Sequence, residues 1–245
     1  MSKETGYIVY EGKSVLNGEP IVGIIVNKSV NAKTGNMYQL HILRSDILPL
    51  EAIDKGTDDA ICGGCVHRRS NGGACYVNVG QGPTAVYKKY KRGGYKSVSI
   101  KDFKLLFGGK KVRFGAYGDP LALPLHILVS LKAVVKNNTS YTHQWKNSII
   151  DGSSEMVSKF SMASVDNLIE KEEANKAGFR TFRVITEGEL LQKDEIICPN
   201  ETTGVNCIKC GLCSGNSVKA KNIAIHVHGS LKSRFNKEVG ELTIP

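Results

Sequence analysis

The sequence contains no uninterrupted apolar run of the roughly eighteen residues that a membrane-spanning helix needs. Its best approach, LALPLHILVSLKAVV from Leu121 to Val135, is broken by Pro124, His126 and Lys132, so no membrane partner is expected. Nor are the cysteines even in number: there are seven, which cannot all pair. The chain opens MSKETGYIVYEG, without an apolar segment that would direct it to an oxidising compartment. A disulfide framework is therefore not expected, a cytoplasmic location is, and clustered thiols in such a chain read as metal ligands. Acidic residues are scarce as well. Lys and Arg number 33 against 23 Asp and Glu, and a surplus of that size favours an anionic partner, nucleic acid being the usual one.

What the chain does have is cysteine in two groups. In CPNETTGVNCIKCGLCSG, Cys207, Cys210 and Cys213 are spaced by two residues each, and Cys198 stands apart before Pro199. Thiolates at that spacing curl a loop around one inorganic centre, and Gly204, Gly211 and Gly215 let the backbone turn and approach it. A zinc knuckle takes one Cys-x-x-Cys pair per loop, whereas a cubane uses the Cys-x-x-Cys-x-x-Cys run with a remote Cys-Pro. The expectation is a 4Fe–4S cluster on Cys198, Cys207, Cys210 and Cys213, with zinc the alternative. Earlier, ICGGCVHRRSNGGACYVNVGQGP places Cys62 and Cys65 two apart and Cys75 beyond a glycine-rich loop. This is a second metal site, iron–sulfur or zinc, and the chain would then carry two clusters. His67 sits close enough to be a spare ligand, although a solvated loop residue is the preferred reading.

Short Ile-, Val- and Tyr-rich runs at Tyr7–Tyr10, Ile21–Val26 and Met37–Leu43 make residues 1–60 an antiparallel β segment, with a hairpin signal at Lys33-Thr34-Gly35-Asn36. Residues 61–245, with cysteine loops 62–75 and 198–213, form the main domain. There, strand-like runs at Tyr76–Val79, Lys111–Tyr117, Ser140–Trp145, Lys159–Ser164, Arg180–Ile185, Asp194–Cys198 and Asn222–His228 alternate with helices. Ser99 with Asp102 marks one helix start, Asp119-Pro120 opens a second that runs to Asn137, and Asp166 caps a third closed by Gly178. The alternation predicts an α/β fold with a partial or irregular parallel (β/α) barrel; an open doubly wound sheet is the alternative. Sites in such folds lie at the carboxyl ends of strands. Asp119, His143, Asp166, His226 and His228 fall there and are the catalytic candidates, with Trp145 beside them.

The order of CYVNVGQGP, VRFGAYGDP, YTHQW, SMASVDN, AGFRTFRV, ICPN, CIKCGLCSG and IAIHVHGS resembles a family of tailed-phage proteins over residues 60–230. More distantly the chain is similar to the phage family called gene product eighty-eight. The resemblance implies a phage-encoded protein working in the host cytoplasm, and a strand order like the partial barrels of radical S-adenosylmethionine enzymes. That analogy of fold licenses no mechanism, and the Cys-x-x-x-Cys-x-x-Cys loop of those enzymes is missing. The leading expectation is an iron–sulfur protein, a redox or radical-type enzyme with an electron donor as partner.

Two other readings come from the residues. His226-Val227-His228 matches the His-hydrophobic-His pattern that holds a divalent cation in DNA-nicking replication endonucleases, with Tyr87, Tyr90 and Tyr95 available as nucleophiles. From Thr84 to Arg113 ten Lys or Arg residues face one acid, Asp102, interleaved with aromatic rings. Lys88, Lys89, Lys91, Arg92 and Lys96 are the nucleic-acid candidates there, since cations neutralise phosphate and rings stack on bases. Solvated helix faces over an aromatic core would have the same composition.

Overall fold

The structure, a computed structural model, describes residues 4–27, 31–229 and 231–235. Near-continuous aliphatic sequence, PIVGIIV and YQLHILR, produces strands covered on both faces. Three of them, β1 (Gly6–Lys13), β2 (Pro20–Val26) and β3 (Tyr38–Arg44), pair antiparallel in sequence order. The hairpin signal falls in the β2–β3 connection, of which residues 28–30 lie outside the described residues; Gly35 there has φ 64°. A two-residue strand, β4 (Lys96–Ser97), lies parallel to β1. Then come β5 (Lys111–Tyr117), β6 (Asn137–Thr142), β7 (Met162–Val165), β8 (Thr181–Ile185), β9 (Glu195–Ile197) and β10 (Asn222–His226). The order is β4-β1-β2-β3-β5-β6-β7-β8-β10-β9, and every pairing from β3 onward is parallel. The fold is α/β. The sheet stays open, and because β3 pairs with β5 the N-terminal strands continue the sheet of the main domain.

Register decides what meets what. Arg113 pairs with Thr139, Tyr141 with Met162, Ser164 with Phe182, and Phe182 with Ile223. With a period of two, one face therefore carries Arg113, Gly115 and Tyr117 of β5, Thr139 and Tyr141 of β6 with His143 just beyond, and Phe182 and Val184 of β8. Ile225 continues that face on β10. The other face is covered by helices. Helix Leu125–Val134 buries Ile127, Leu128 and Leu131 in the main core, where Phe114 meets Phe160 edge-on with ring centroids 6.2 Å apart. Among the described residues no helix is long and apolar enough to cross a membrane.

Several local expectations change for identifiable reasons. Tyr76–Val79 is not a strand: the Arg69 guanidinium donates to the carbonyls of Cys75 and Val77, so a side chain satisfies backbone that a ladder would otherwise serve. Asp119 caps only a 3-10 turn, Pro120–Ala122, and the helix begins after Pro124, whose missing N–H suits a helix start but not an interior. Asp166 does not cap the helix Leu168–Lys176. Asn167 does, accepting from the Glu170 amide at 2.9 Å, while Glu170 reaches back to the Asp166 amide at 3.0 Å. The predicted Ser99–Asp102 capping box is present.

Beyond β8 the sheet depends on one buried ion pair. Arg183, 2% exposed, donates through Nε and Nη2 to both oxygens of Glu195, which is fully buried, at 2.9 and 2.8 Å, and through Nη1 to Glu189. It ties β8 to β9 across the intervening β10. Burial alone would raise the Glu195 pKa, but the Arg183 hydrogen bonds outweigh it and hold the carboxyl below its ordinary 4.5. A depressed folded-state pKa contributes stability that is present above 4.5 and lost as pH falls through the lower value. Replacing Arg183 with Met should cost about 3–5 kcal/mol at neutral pH in urea unfolding, because it strands a buried carboxylate. The Arg183→Met, Glu195→Leu double variant should recover most of that loss.

Candidate functional site

A cavity of about 240 Å³ opens on the sheet face just described, and both cysteine groups reach it: Cys62, Cys65, Cys75, Cys198 and Cys207 all line it. All seven cysteines are free thiols.

The early group is anchored at the carboxyl ends of β5 and β6. The Asp119 amide donates to Ile61 O at 2.6 Å, and Gln144 Nε2 donates to Cys62 O at 3.0 Å. Gly63 has φ 55°, and a Cβ there would sit 2.6 Å from the Gln144 amide, so only glycine brings this loop so close. Buried Asp119 accepts from Leu121 N (2.9 Å), Thr142 Oγ1 (2.8 Å) and His143 N (2.8 Å). Burial raises its pKa against the pull of those donors. Both its oxygens are engaged, which makes it a brace for the strand ends rather than an acid or base. His143 lines the cavity, and Asp166 stands beside it. His67 joins them: its Nε2 lies 2.9 Å from Asp166 Oδ1, and His143 Nε2 lies 3.6 Å from the same oxygen. Burial would depress the His143 pKa, but the Cys65 sulfur and the Asp166 carboxylate beside it raise it well above the ordinary histidine value. Burial would raise Asp166, and the two histidines instead hold it far below the usual carboxylate range.

The late group is carried by two short helical turns. Cys198 ends β9 and caps Pro199–Thr203, and the amides of Asn200 and Glu201 donate towards its sulfur. Cys207 and Cys210 bound a single turn capped by Asn206 and ended by Gly211 at φ 69°. That turn is held from β2–β3, where the Cys207 and Ile208 amides donate to Lys33 O and Thr34 O at 2.8 and 3.2 Å. A Cβ on Gly35 would lie 2.8 Å from Ile208 Cγ2, so the contact also requires glycine. Cys213 is buried with Met162 and Ile223 in a second apolar cluster that includes Tyr141, Phe182, Ile196 and Cys198.

Each of the four late sulfurs is within electrostatic reach of the other three. Burial raises the pKa of Cys198 and Cys207 and, despite a hydrogen bond from Tyr141, pushes Cys213 up to about 12. In the early group burial likewise raises Cys62 and Cys75. Among the described residues, only His67, His143 and Asp166 have ligand atoms all within 4.8 Å of one another. No trio of sulfurs is that tight, whereas Zn–S bonds of about 2.3 Å put tetrahedral thiolates about 3.8 Å apart.

Other candidates lie elsewhere. His226 pairs with Glu201, while His228 turns its Nδ1 to the His226 carbonyl at 3.0 Å and packs on Tyr76; they line a cleft of about 320 Å³ without converging on a common point. Tyr87 is buried and Tyr90 donates to Glu11 of β1, which six strands separate from β10, so neither of these tyrosines meets the histidines. Trp145 is buried in the main core with its indole on Ser164 O. In the basic stretch Lys88, Lys91, Arg92 and Lys96 are exposed and Lys89 binds Thr5, but Tyr87, Tyr90 and Tyr95 pack against the main core. The rings that would stack on bases are committed to the fold. His67 was legible only as a spare ligand beside the cysteines; its pairing with Asp166, 99 positions away, was not.

Comparison of the chain with protein-family models, curated proteins and solved structures finds no match. The likeness to phage families thus rests on its motifs alone.

Asp119→Ala should remove the acceptor for three donors at once and lower stability by about 3 kcal/mol in urea unfolding. Asp119→Asn, which keeps one carbonyl oxygen, should lose less.

Proposed function

We propose that the chain is an iron–sulfur protein whose cluster is held by Cys198, Cys207, Cys210 and Cys213. The observation that carries this reading is charge without a partner. Half-buried Arg113 faces the Cys207 sulfur with its Nη2 on Tyr76 Oη at 2.6 Å, and buried Arg180 lies near Cys213 with its guanidinium on the carbonyls of Leu212, Gly215 and Lys221. Neither has a carboxylate partner among the described residues. Two cations withdrawn from water beside three thiols of raised pKa, Cys198, Cys207 and Cys213, are a costly arrangement by themselves. A cation-centred thiolate cluster reverses that cost, since the bound irons displace the thiol protons and the whole carries negative charge.

The spread of the sulfurs favours a multi-iron centre over a single zinc, because a cubane holds its thiolates further apart than one ion does. Such a group supplies one-electron redox chemistry. The residues here set its surroundings: the Asn200 and Glu201 amides and the Tyr141 hydroxyl donate to sulfur, and the Met162–Ile223 cluster keeps water away. Hydrogen bonds to sulfur, net charge and exposure are the terms that tune a cluster's potential. A redox role with an outside electron donor follows from this reading. The early trio Cys62, Cys65 and Cys75 offers three thiols for a second centre.

Protein purified without oxygen should be brown and release iron and sulfide in equal amounts, and Cys213→Ser should lose most of both. A colourless preparation with one tightly bound zinc per chain would refute the cluster.

A further inference from the structure

The cavity's other end holds an arrangement that the thiols do not explain. His67, from the loop between Cys65 and Cys75, His143, just past β6, and Asp166, just past β7, each bring one ligand atom to within 4.8 Å of the other two. Two imidazole nitrogens are aimed at one carboxylate oxygen, at 2.9 and 3.6 Å. The second distance is too long for a hydrogen bond, and His143 Nε2 is enclosed with no hydrogen-bond partner. Buried polar atoms are nearly always satisfied, so one without a partner calls for an explanation. Bonds of about 2.1 Å to nitrogen and oxygen separate adjacent ligand atoms by about 3.0 Å in octahedral and about 3.4 Å in tetrahedral geometry. The two observed separations straddle those values.

The folding of the region also frees these side chains for the task. Asn167 takes over the helix cap, so Asp166 is not used there. Asp119 holds the His143 backbone at the strand end. Phe235 covers the His67 ring at 5.4 Å between centroids.

We propose that His67, His143 and Asp166 bind a divalent first-row transition ion, separate from the late-thiol cluster, with open coordination positions facing the 240 Å³ cavity. Two histidines and one carboxylate on one side of an ion are the ligand set of sites that keep positions free for a water or a small oxygen-bearing ligand. The cavity supplies the space for it, and at this end His67 and His143 line it together with Ser164 and Asp119.

Cobalt(II) is a suitable probe, because thiolate-bound and nitrogen/oxygen-bound cobalt differ in their absorption. Metal-free reduced wild-type chain should bind one more cobalt ion than Asp166→Asn or His67→Ala, and both variants should keep the full thiolate–cobalt absorption. The near-isosteric Asp166→Asn carries the test if His67→Ala does not fold. Cobalt should also raise the thermal midpoint of a Cys213→Ser chain by an increment that Asp166→Asn removes. Equal cobalt stoichiometry in wild type and Asp166→Asn would overturn the site. So would loss of thiolate–cobalt absorption in Asp166→Asn, which would make the histidines and Asp166 a support for the cysteines. The iron–sulfur reading is decided by iron and sulfide content, so either proposal can fail while the other stands.

Discussion

A thiol enclosed by apolar side chains must either keep its proton or be given a cation, and that constraint organises the functional half of this molecule. Cys213, pressed against Met162 and Ile223, has its proton held firmly. A reactive thiolate needs the opposite environment, electropositive and partly open to water. Arg113 and Arg180 do provide positive charge nearby, yet burial prevails at Cys207 and Cys213 all the same. The surroundings therefore suit thiols that exchange protons for metal and do not suit a cysteine acting as a lone nucleophile.

The scaffold was largely legible because its strands are written in aliphatic residues. IVGIIV and YQLHILR read as buried strands, and Gly56, Gly93 and Gly178 after helices adopt positive φ, whereas Gly108 closes the helix Phe103–Phe107 at φ −54°. Where two residues could each do one job, local sequence was not enough. Asp166 and Asn167 are both good helix caps, and Glu170 decides between them only through its reach back to the Asp166 amide. Tyr76–Val79 has a strand's composition, but Arg69 satisfies its backbone, and no local propensity encodes such a long-range substitution.

At the site the legible part was covalent spacing and the illegible part was convergence. The cysteine runs announced two thiol groups; nothing in them said that both would face one cavity. The strands do that, by alternation. His226 and His228 are set to different surroundings: Ile225 takes the cavity face of β10 and leaves His226 on the other, paired with Glu201, whereas His228, beyond the end of the strand, lines the cavity beside Tyr76 and turns its Nδ1 to the His226 carbonyl. Likewise the rings between the lysines of 84–113 had a core to fill, and filling it removed the aromatic half of the nucleic-acid reading.

Strand β6 brings these threads together. Its inward residues run Thr139, Tyr141, His143, with Tyr141 donating to the Cys213 sulfur and His143 standing beside the Cys65 sulfur. Residues two apart on a strand are about 7 Å apart along it. One strand thus touches both thiol groups within two residues, and its own backbone is fixed at one end by Asp119 and at the Ser140 amide by the Cys213 carbonyl, at 2.9 Å. Its outward face is polar as well as buried: Asn138 and Ser140 bond to Phe160 O and Ser161 Oγ. A strand that gives up aliphatic packing in the middle of a sheet has been built to hold a position. Here the position it holds is the short separation between the two thiol groups.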